Sequence, residues 1–293
     1  GFTTASGAAG APGVRAPSPG SRRATYVSWA LTVLALIAAA AGWLRHQTFT
    51  LQVVRFAVPM KSGQTLFPAR YEAPFALSPD GTRFAYVATD SGAAAQTLHL
   101  RALDQFTTTT FPGTEGAFAP FFSPDGLWIG LITTDRDIKK VAASGGPVSS
   151  LAAGAAVFRG APSWGDDHAI AYTTNATAMR VGDGGGAPTV LFDSTKVRGM
   201  APFVLPGSRA VLFTLCPVSG SACTGDLAVL DLATKTVKVL VPGAARGWYL
   251  PSGHLVYGTQ QGALFVVKFD LRSLAVTSAP VAVLDGIQLT TFA

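Results

Sequence analysis

The feature that most constrains this chain is a turn that occurs twice. "FALSPDGTRFAY" occupies Phe75–Tyr86, and a near copy, "FFSPDGLWIG", occupies Phe121–Gly130. In Ser-Pro-Asp-Gly, the proline presets φ, the aspartate side chain caps the turn, and the glycine takes the positive φ that closes it. An apolar run of strand length follows each copy, so the motif predicts a strand, a turn and a second strand.

Three weaker copies extend the repeat along the chain. They are "PSWGDDHAIAYTT", "FVLPGSRAVLFTL" and "WYLPSGHLVYGT", and aligning the five turns gives steps of 45, 41, 41 and 45 residues. A second hairpin-like segment follows each copy, which makes four strands per repeat. This is the period of a four-stranded propeller blade. The sequence therefore predicts an all-β propeller of about five to six four-stranded blades.

Composition agrees with this fold. The chain has 32 Gly, 19 Pro and only 13% charged residues among 293. Such a composition is typical of many turns and of strands that are buried on both faces, as stacked blades require. The length accommodates one such domain.

One segment departs from the β pattern. Val27–Leu44 is eighteen residues without a charge, which at 1.5 Å per residue just spans a hydrocarbon core of about 30 Å. Tyr26, Trp29 and Trp43 lie near its ends, where aromatic side chains settle at a membrane interface. The pattern predicts one transmembrane helix before the propeller. A cleaved signal peptide is the alternative, because an arginine, an apolar core and "AAAAG" also resemble a processing site.

These features divide the chain into four parts. We expect a cytoplasmic Gly/Pro/Ala-rich tail over 1–25, a transmembrane helix over 26–45, a linker with a candidate ring-closing strand over 46–70, and a propeller over 71–293. The tail cannot bury enough apolar surface to order by itself, so we expect a partner protein to hold it.

Charge predicts the orientation of the chain. Arg15, Arg22 and Arg23 precede the apolar segment, and residues 1–50 contain no Asp or Glu. By the positive-inside rule, the N-terminus lies in the cytoplasm and the propeller in the periplasm, anchored in a bacterial inner membrane. Within the same helix, Ala35, Ala38, Ala39 and Gly42 recur at steps of three and four. This stripe favours close helix packing, although an ordinary Ala-rich anchor explains it equally well.

The two cysteines, Cys216 and Cys223, lie in one loop. In an oxidising compartment such a pair forms a disulfide that clamps the loop, and two free buried thiols are the alternative. A zinc site is not expected, because no second cysteine pair or nearby histidine completes it.

The remaining polar motifs favour turns over chemistry. His168 and His254 share one repeat position, while Asp166 and Asp167 replace the Pro-Asp of the turn and are expected to cap it. No Gly-x-Ser-x-Gly elbow and no phosphate loop occurs. We therefore predict no catalytic residue, no metal and no cofactor, and that the chain is not an enzyme. Nucleic acid is not an expected partner, because basic residues beyond position 50 are dispersed and nearly balanced by acidic ones.

The repeats themselves resemble a known family. Ala76–Asp104 and Phe111–Gly130 are similar to the PD40 or TolB-like propeller repeats at the extracytoplasmic end of bacterial membrane-anchored serine/threonine protein kinases. The resemblance covers residues 53–293 and implies the fold, with a membrane anchor before it. No V-A-I-K, H-R-D or D-F-G motif of a kinase is present, so phosphoryl transfer is not implied.

Two functions follow as hypotheses. In the first, the chain is an accessory subunit of a larger membrane complex, such as a respiratory or photosynthetic one. Its partners are then the lipid bilayer and other membrane protein subunits, which it contacts through the tail, the helix and a propeller face. In the second, the chain is the ligand-sensing end of a receptor kinase. In both, binding is expected on loops at the ends of the ring.

Overall fold

The computed structural model describes residues 26–27, 29, 31–36, 60–67, 73–154, 160–174, 177–192, 198–217 and 225–287. The chain divides into two compact units, Gly1–Val58 and Pro59–Ala293. We describe each unit by itself.

In the first unit, the described residues are helical, and the side chains of Tyr26, Trp29 and Ala35 are exposed. No helix in the described part of the chain is long and apolar enough to cross a membrane, so the transmembrane helix predicted over 26–45 is not supported. The other predicted residues of this region lie outside the described residues: Arg15, Arg22, Arg23, Ala38, Ala39, Gly42 and Trp43.

The second unit is an all-β propeller with five blades, each an antiparallel sheet of four strand positions. Blades 1 and 2 comprise β1 (Thr65–Leu66), β2 (Phe75–Leu77), β3 (Arg83–Thr89), β4 (Thr97–Ala102), β5 (Thr108–Phe111), β6 (Ala117–Phe122), β7 (Trp128–Thr133), β8 (Ile138–Ala142) and β9 (Ser149–Ala152).

Blades 3, 4 and 5 follow in chain order. They comprise β10 (Ser163–Trp164), β11 (Ala169–Thr173), β12 (Ala178–Gly182), β13 (Thr189–Val190), β14 (Arg198–Val204), β15 (Ala210–Cys216), β16 (Asp226–Asp231), β17 (Val237–Val241), β18 (Ala244–Leu250), β19 (His254–Thr259), β20 (Leu264–Asp270), β21 (Ala275–Val276) and β22 (Val281–Leu284). A short 3-10 turn, Pro206–Ser208, joins β14 to β15.

Strands are ordered sequentially in each blade, so that each strand pairs with the next along the chain. The first and last blades each have one interrupted strand. In blade 1, β1 and β2 both pair with β3, and in blade 5, β21 and β22 both pair with β20. Blade 1 therefore begins at Thr65, within the segment that the sequence predicts as a linker.

Apolar cores between neighbouring blades hold the fold together. Each of four buried clusters draws side chains from two consecutive blades, and together they join blade 1 to 2, 2 to 3, 3 to 4 and 4 to 5. The central strands are buried on both faces for this reason: Ala85 and Val87 of β3, for example, are fully buried. Burial on both faces explains why these strands are continuous apolar runs and do not alternate with polar residues.

Candidate functional site

The Ser-Pro-Asp-Gly turns close as their sequence predicts. Asp80 Oδ1 accepts hydrogen bonds from Ser78 Oγ at 2.5 Å and from the Thr82 amide at 3.0 Å, while Gly81 has φ of 70°. These donors lower the pKa of Asp80 to about 2. In blade 2, Asp125 is held in the same way, and its pKa is lowered chiefly by the hydrogen bond from Ser123. The turns thus fix one end of blades 1 and 2.

The first strands of blades 2 and 4 are bent by bulges. Register shifts occur between Phe118 and Phe121 and between Met200 and Phe203. Within them, Ala119 and Ala201 adopt φ of 47° and 51°, a region that costs non-glycine residues energy and persists only where the surroundings enforce it. A proline follows each alanine. It is tolerated because a first strand is a sheet edge and loses no ladder hydrogen bond there.

The sequence signal for these strands is a repeated Ala-Pro pair, which sequence reasoning missed. The pair stands at 73–74, 119–120, 161–162 and 201–202, just before the residues of the first strand that carry large side chains. Four of the five repeats contain it. It marks the strand that faces the centre of the ring.

A central cavity of about 530 Å³ is lined by the first strands and the following turns of all five blades. Every blade contributes at least one aromatic side chain to its wall: Phe75, Phe121, Phe122, Trp164, Phe203, Trp248 and Tyr249. Several prolines line it as well, including the prolines of the Ser-Pro-Asp-Gly turns. The cavity is therefore chiefly apolar, as binding cavities usually are.

Few polar side chains reach this central cavity. Ser163 Oγ accepts a hydrogen bond from the Val204 amide at 2.9 Å, and Asp166 Oδ2 accepts one from the Gly207 amide at 2.6 Å. Both bonds join blade 3 to blade 4. The basic residue of the lining is Arg246, whose guanidinium lies 5.2 Å from the centroid of the Trp248 ring. Such a wall can hold an apolar ligand by contact and orient it through one cation.

A second cavity, of about 320 Å³, lies at the turn ends of blades 2 and 3, and we call it the interblade pocket. At its rim, His168 Nδ1 lies 3.1 Å from Asp183 Oδ2. Asp167 forms an ion pair with Arg180. The prediction that Asp166 and Asp167 cap their own turn is therefore wrong, since Asp166 bonds to blade 4 and Asp167 to Arg180.

The other predicted site residues are spread over the propeller. His168 is 83% exposed at the side chain, and His254 Nδ1 lies 3.1 Å from Ser252 Oγ beside its turn. Cys216 is buried at the end of β15 and is disulfide-bonded. Cys223 lies outside the described residues, so its pairing stays a prediction. Among the described residues, no group of three or more His, Cys, Asp or Glu could hold a metal ion.

One buried histidine was not expected from the sequence. His99 on β4 is 1% exposed and its ring stacks on Tyr86 at 5.2 Å between centroids. Its nitrogens lie 3.1 Å from Thr110 Oγ1 and 3.2 Å from Thr97 Oγ1. Burial lowers the pKa of His99 below its ordinary value. No motif surrounds this residue in the sequence, which is why its role inside blade 1 was missed.

Comparison with known proteins gives the fold. No protein-family model and no curated protein sequence matches the chain. An oligogalacturonate lyase in complex with manganese aligns with a TM-score of 0.52 and 15% identity, over 75% of this chain and 66% of the lyase. The oligogalacturonate lyase of Vibrio parahaemolyticus aligns with a TM-score of 0.55 and 12% identity, over 77% of this chain and 67% of the lyase.

A TolB-type protein of Agrobacterium tumefaciens aligns with a TM-score of 0.50 and 16% identity, over 70% of this chain and 79% of that protein. At such identities the likeness shows the fold alone. The chain spans about two thirds of the length of the lyases. The predicted propeller fold is confirmed, while the TolB-like family and the association with receptor kinases stay predictions.

The lyases also correct one prediction. We expected no enzyme because no Gly-x-Ser-x-Gly elbow and no phosphate loop is present. Oligogalacturonate lyases are enzymes that share this propeller fold. The prediction that the chain is not an enzyme is therefore contradicted, because a propeller fold does not exclude catalysis.

Proposed function

We propose that this chain is a binding subunit that holds a partner protein within a larger membrane-associated assembly, and that it uses the central cavity to do so. The observation that carries the proposal is the convergence of aromatic side chains from all five blades on this cavity. The occupant is a segment of the partner with apolar side chains, because the wall is built from aromatic and proline residues.

Exposure around the cavity supports a protein partner. Phe75 and Leu77 on β2 are 47% and 52% exposed, and Trp248 on β18 is 37% exposed. Contiguous exposed apolar surface on a soluble domain usually marks an interaction site. Aromatic residues and arginine, here Trp248 and Arg246, are also the residue types that contribute most to binding energy at protein interfaces.

The membrane part of the proposal rests on the sequence. The uncharged segment Val27–Leu44, with Arg15, Arg22 and Arg23 before it, is the proposed anchor that places the propeller on the periplasmic side of a bacterial inner membrane. In the receptor-kinase alternative, the same cavity would take an extracytoplasmic ligand. The two hypotheses therefore share a surface and differ in its occupant.

Site-specific cross-linking tests the proposal. A photo-crosslinking amino acid replaces Trp248 in the full chain, and native membranes are irradiated and then solubilised gently. We expect one dominant protein adduct at constant stoichiometry, identified by mass spectrometry. The control position is Phe106, which is 87% exposed on the β4–β5 turn and does not line the cavity.

The control position should give no such adduct. The same products from both positions would show that the contact is not specific to the cavity. An absence of any protein adduct from position 248 would overturn the proposal. A kinase domain found on the same polypeptide would favour the sensing alternative.

A further inference from the structure

The interblade pocket combines aromatic surface with negative charge. Its walls include the indole rings of Trp128 and Trp164 and the carboxylates of Asp125, Asp166 and Asp183. No lysine or arginine is among the described residues that line it. Anionic ligands are therefore disfavoured, and cationic ones are favoured.

The two indole rings already lie next to a protein cation. Lys140 Nζ lies 4.4 Å from the centroid of the Trp128 ring and 5.9 Å from that of the Trp164 ring. Lys140 belongs to β8 and does not line the pocket. Cations within about 6 Å of an indole centroid are attracted by the negative face of the ring. This pair of rings is thus electrostatically suited to an ammonium or guanidinium group.

The carboxylates retain capacity for a ligand. Asp125 Oδ1 accepts the hydrogen bonds that close its own turn, and Asp166 Oδ2 accepts one from the Gly207 amide. Asp183 Oδ2 lies within hydrogen-bonding distance of His168 Nδ1. In each case the second carboxylate oxygen has no hydrogen bond among the described residues. A carboxylate can accept about four hydrogen bonds, so these second oxygens are available acceptors on side chains that are already fixed in place.

The two neighbouring interfaces each have a hydrogen bond between blades at their turn ends. Arg83 Nη2 donates to the Gly126 carbonyl at 2.8 Å between blades 1 and 2, and the Gly207 amide donates to Asp166 between blades 3 and 4. In the described part of the chain, no hydrogen bond joins turn residues 123–126 to turn residues 165–168. The interblade pocket lies between these two turns.

We propose that the interblade pocket binds the guanidinium or ammonium group of an arginine or lysine side chain. Carboxylate oxygens supply charge-assisted hydrogen bonds and the indoles supply cation–π contact. Arginine fits best, because its planar group can stack and donate two hydrogen bonds at once. The pocket shares Pro124, Trp164, Gly165 and Asp166 with the central cavity. Assigning the basic side chain to the partner segment in that cavity rests on the proposed function.

Titration of the full chain with N-acetyl-argininamide tests this inference. The readout is the set of indole N–H signals in a two-dimensional NMR spectrum, since the chain has five tryptophans that single Trp→Phe substitutions can assign. We expect the signals of Trp128 and Trp164 to shift and that of Trp248 to stay. N-acetyl-citrullinamide has nearly the same shape without the charge, so it should cause no shift.

Substitutions then locate the site. Asp183→Asn removes one carboxylate charge and should weaken argininamide binding by about fivefold or more. The matched control is Asp104→Asn, which removes the same charge from an exposed turn outside the pocket and should leave binding unchanged. Trp128→Leu, with folding checked by circular dichroism, should abolish the shift at Trp164.

Three results would overturn the inference. They are equal shifts with citrullinamide, no shift at Trp128 and Trp164 at millimolar argininamide, and unchanged binding in both Asp183→Asn and Trp128→Leu. A shift confined to Trp248 would place the ligand in the central cavity. It would refute binding in the interblade pocket and leave the proposed function standing. Conversely, failed cross-linking from position 248 with intact argininamide binding would refute the proposed function and leave the pocket standing.

Discussion

The interface between blades 3 and 4 and the interface between blades 2 and 3 have the same kind of core and different polar edges. Both bury a cluster of apolar side chains. At the turn end of the first, the Val204 and Gly207 amides donate to Ser163 and Asp166. At the turn end of the second, the carboxylates and indoles surround the interblade pocket.

This difference separates what holds the ring together from what is available for binding. Apolar burial supplies the stability of both interfaces. The polar groups of the turns either pair with the next blade or remain open toward a cavity. On such a repeat fold, we therefore expect a ligand site where the hydrogen bonding between neighbouring turns is missing, as at the interblade pocket.

The largest expected effect tests whether the two cores are equivalent. A Cβ at Gly130 would lie 2.2 Å from Phe121 Cζ, and Phe121 packs on Trp164 across the interface between blades 2 and 3. A Cβ at Gly199 would lie 2.5 Å from Phe192 Cζ in the core between blades 3 and 4. We expect Gly130→Ala and Gly199→Ala each to lower the free energy of unfolding by about 1–3 kcal/mol through overpacking.

Urea denaturation measures both losses. The matched control is Gly258→Ala, whose Cβ would meet Leu264 at an ordinary 3.5 Å and should change stability by less than about 0.5 kcal/mol. If Gly130→Ala were as harmless as the control, the core between blades 2 and 3 would be looser than the core between blades 3 and 4.

The second prediction concerns the hydrogen bond from the Val204 amide to Ser163 at the interface between blades 3 and 4. Ser163→Ala removes the acceptor of the Val204 amide, whose N–H then lacks a protein partner. We expect a loss of about 1–2 kcal/mol of unfolding free energy, because a partly buried donor is left unpaired. Ser252→Ala, which removes only an exposed contact to His254, is the control and should have little effect in the same urea titration. Equal losses in both variants would argue that the edge does not stabilise this interface.

Much of the fold could be predicted from the sequence because the turn chemistry is local. Ser78, Asp80 and Gly81 act on one another within a few residues, so their pattern determines the turn wherever it occurs. The steps of 41 and 45 residues between turns then predicted the blades. The number of blades was left open between five and six, and the structure has five.

The site was harder to predict, because it depends on contacts between repeats. Asp166 occupies a capping position in the aligned repeats, yet its side chain reaches the Gly207 amide of the next blade. Trp128 and Trp164 are 36 residues apart and meet only when two blades stack. Local pattern contains no information on which pair of turns bonds together and which pair leaves a pocket.

Near neutral pH, the pH dependence of stability should come from a buried histidine within blade 1. Burial lowers the pKa of His99 below 6.5, so the unfolded chain binds a proton that the folded chain excludes. Stability from this group is full above pH 6.5 and falls as the pH drops below it, with a slope of at most about 1.4 kcal/mol per pH unit. Urea denaturation at several pH values measures the slope. His99→Gln should flatten it, and an unchanged slope in that variant would assign the effect to other groups.

The smallest expected effect tests the cation that already sits beside the interblade pocket. Lys140→Met keeps the length and apolar stem of the side chain and removes the ammonium that lies 4.4 Å from the Trp128 centroid. The loss of one cation–π contact should lower the free energy of unfolding by only about 0.5–1 kcal/mol.

The same change removes a positive charge near the pocket, so argininamide should bind more tightly as stability falls. Lys238→Met, which removes a lysine that donates to the Leu274 carbonyl between blades 4 and 5, is the control and should leave binding unchanged. Weaker argininamide binding in Lys140→Met would mean that Lys140 supports the pocket through packing, and the indole pair would then have to be treated as part of the core between blades 2 and 3.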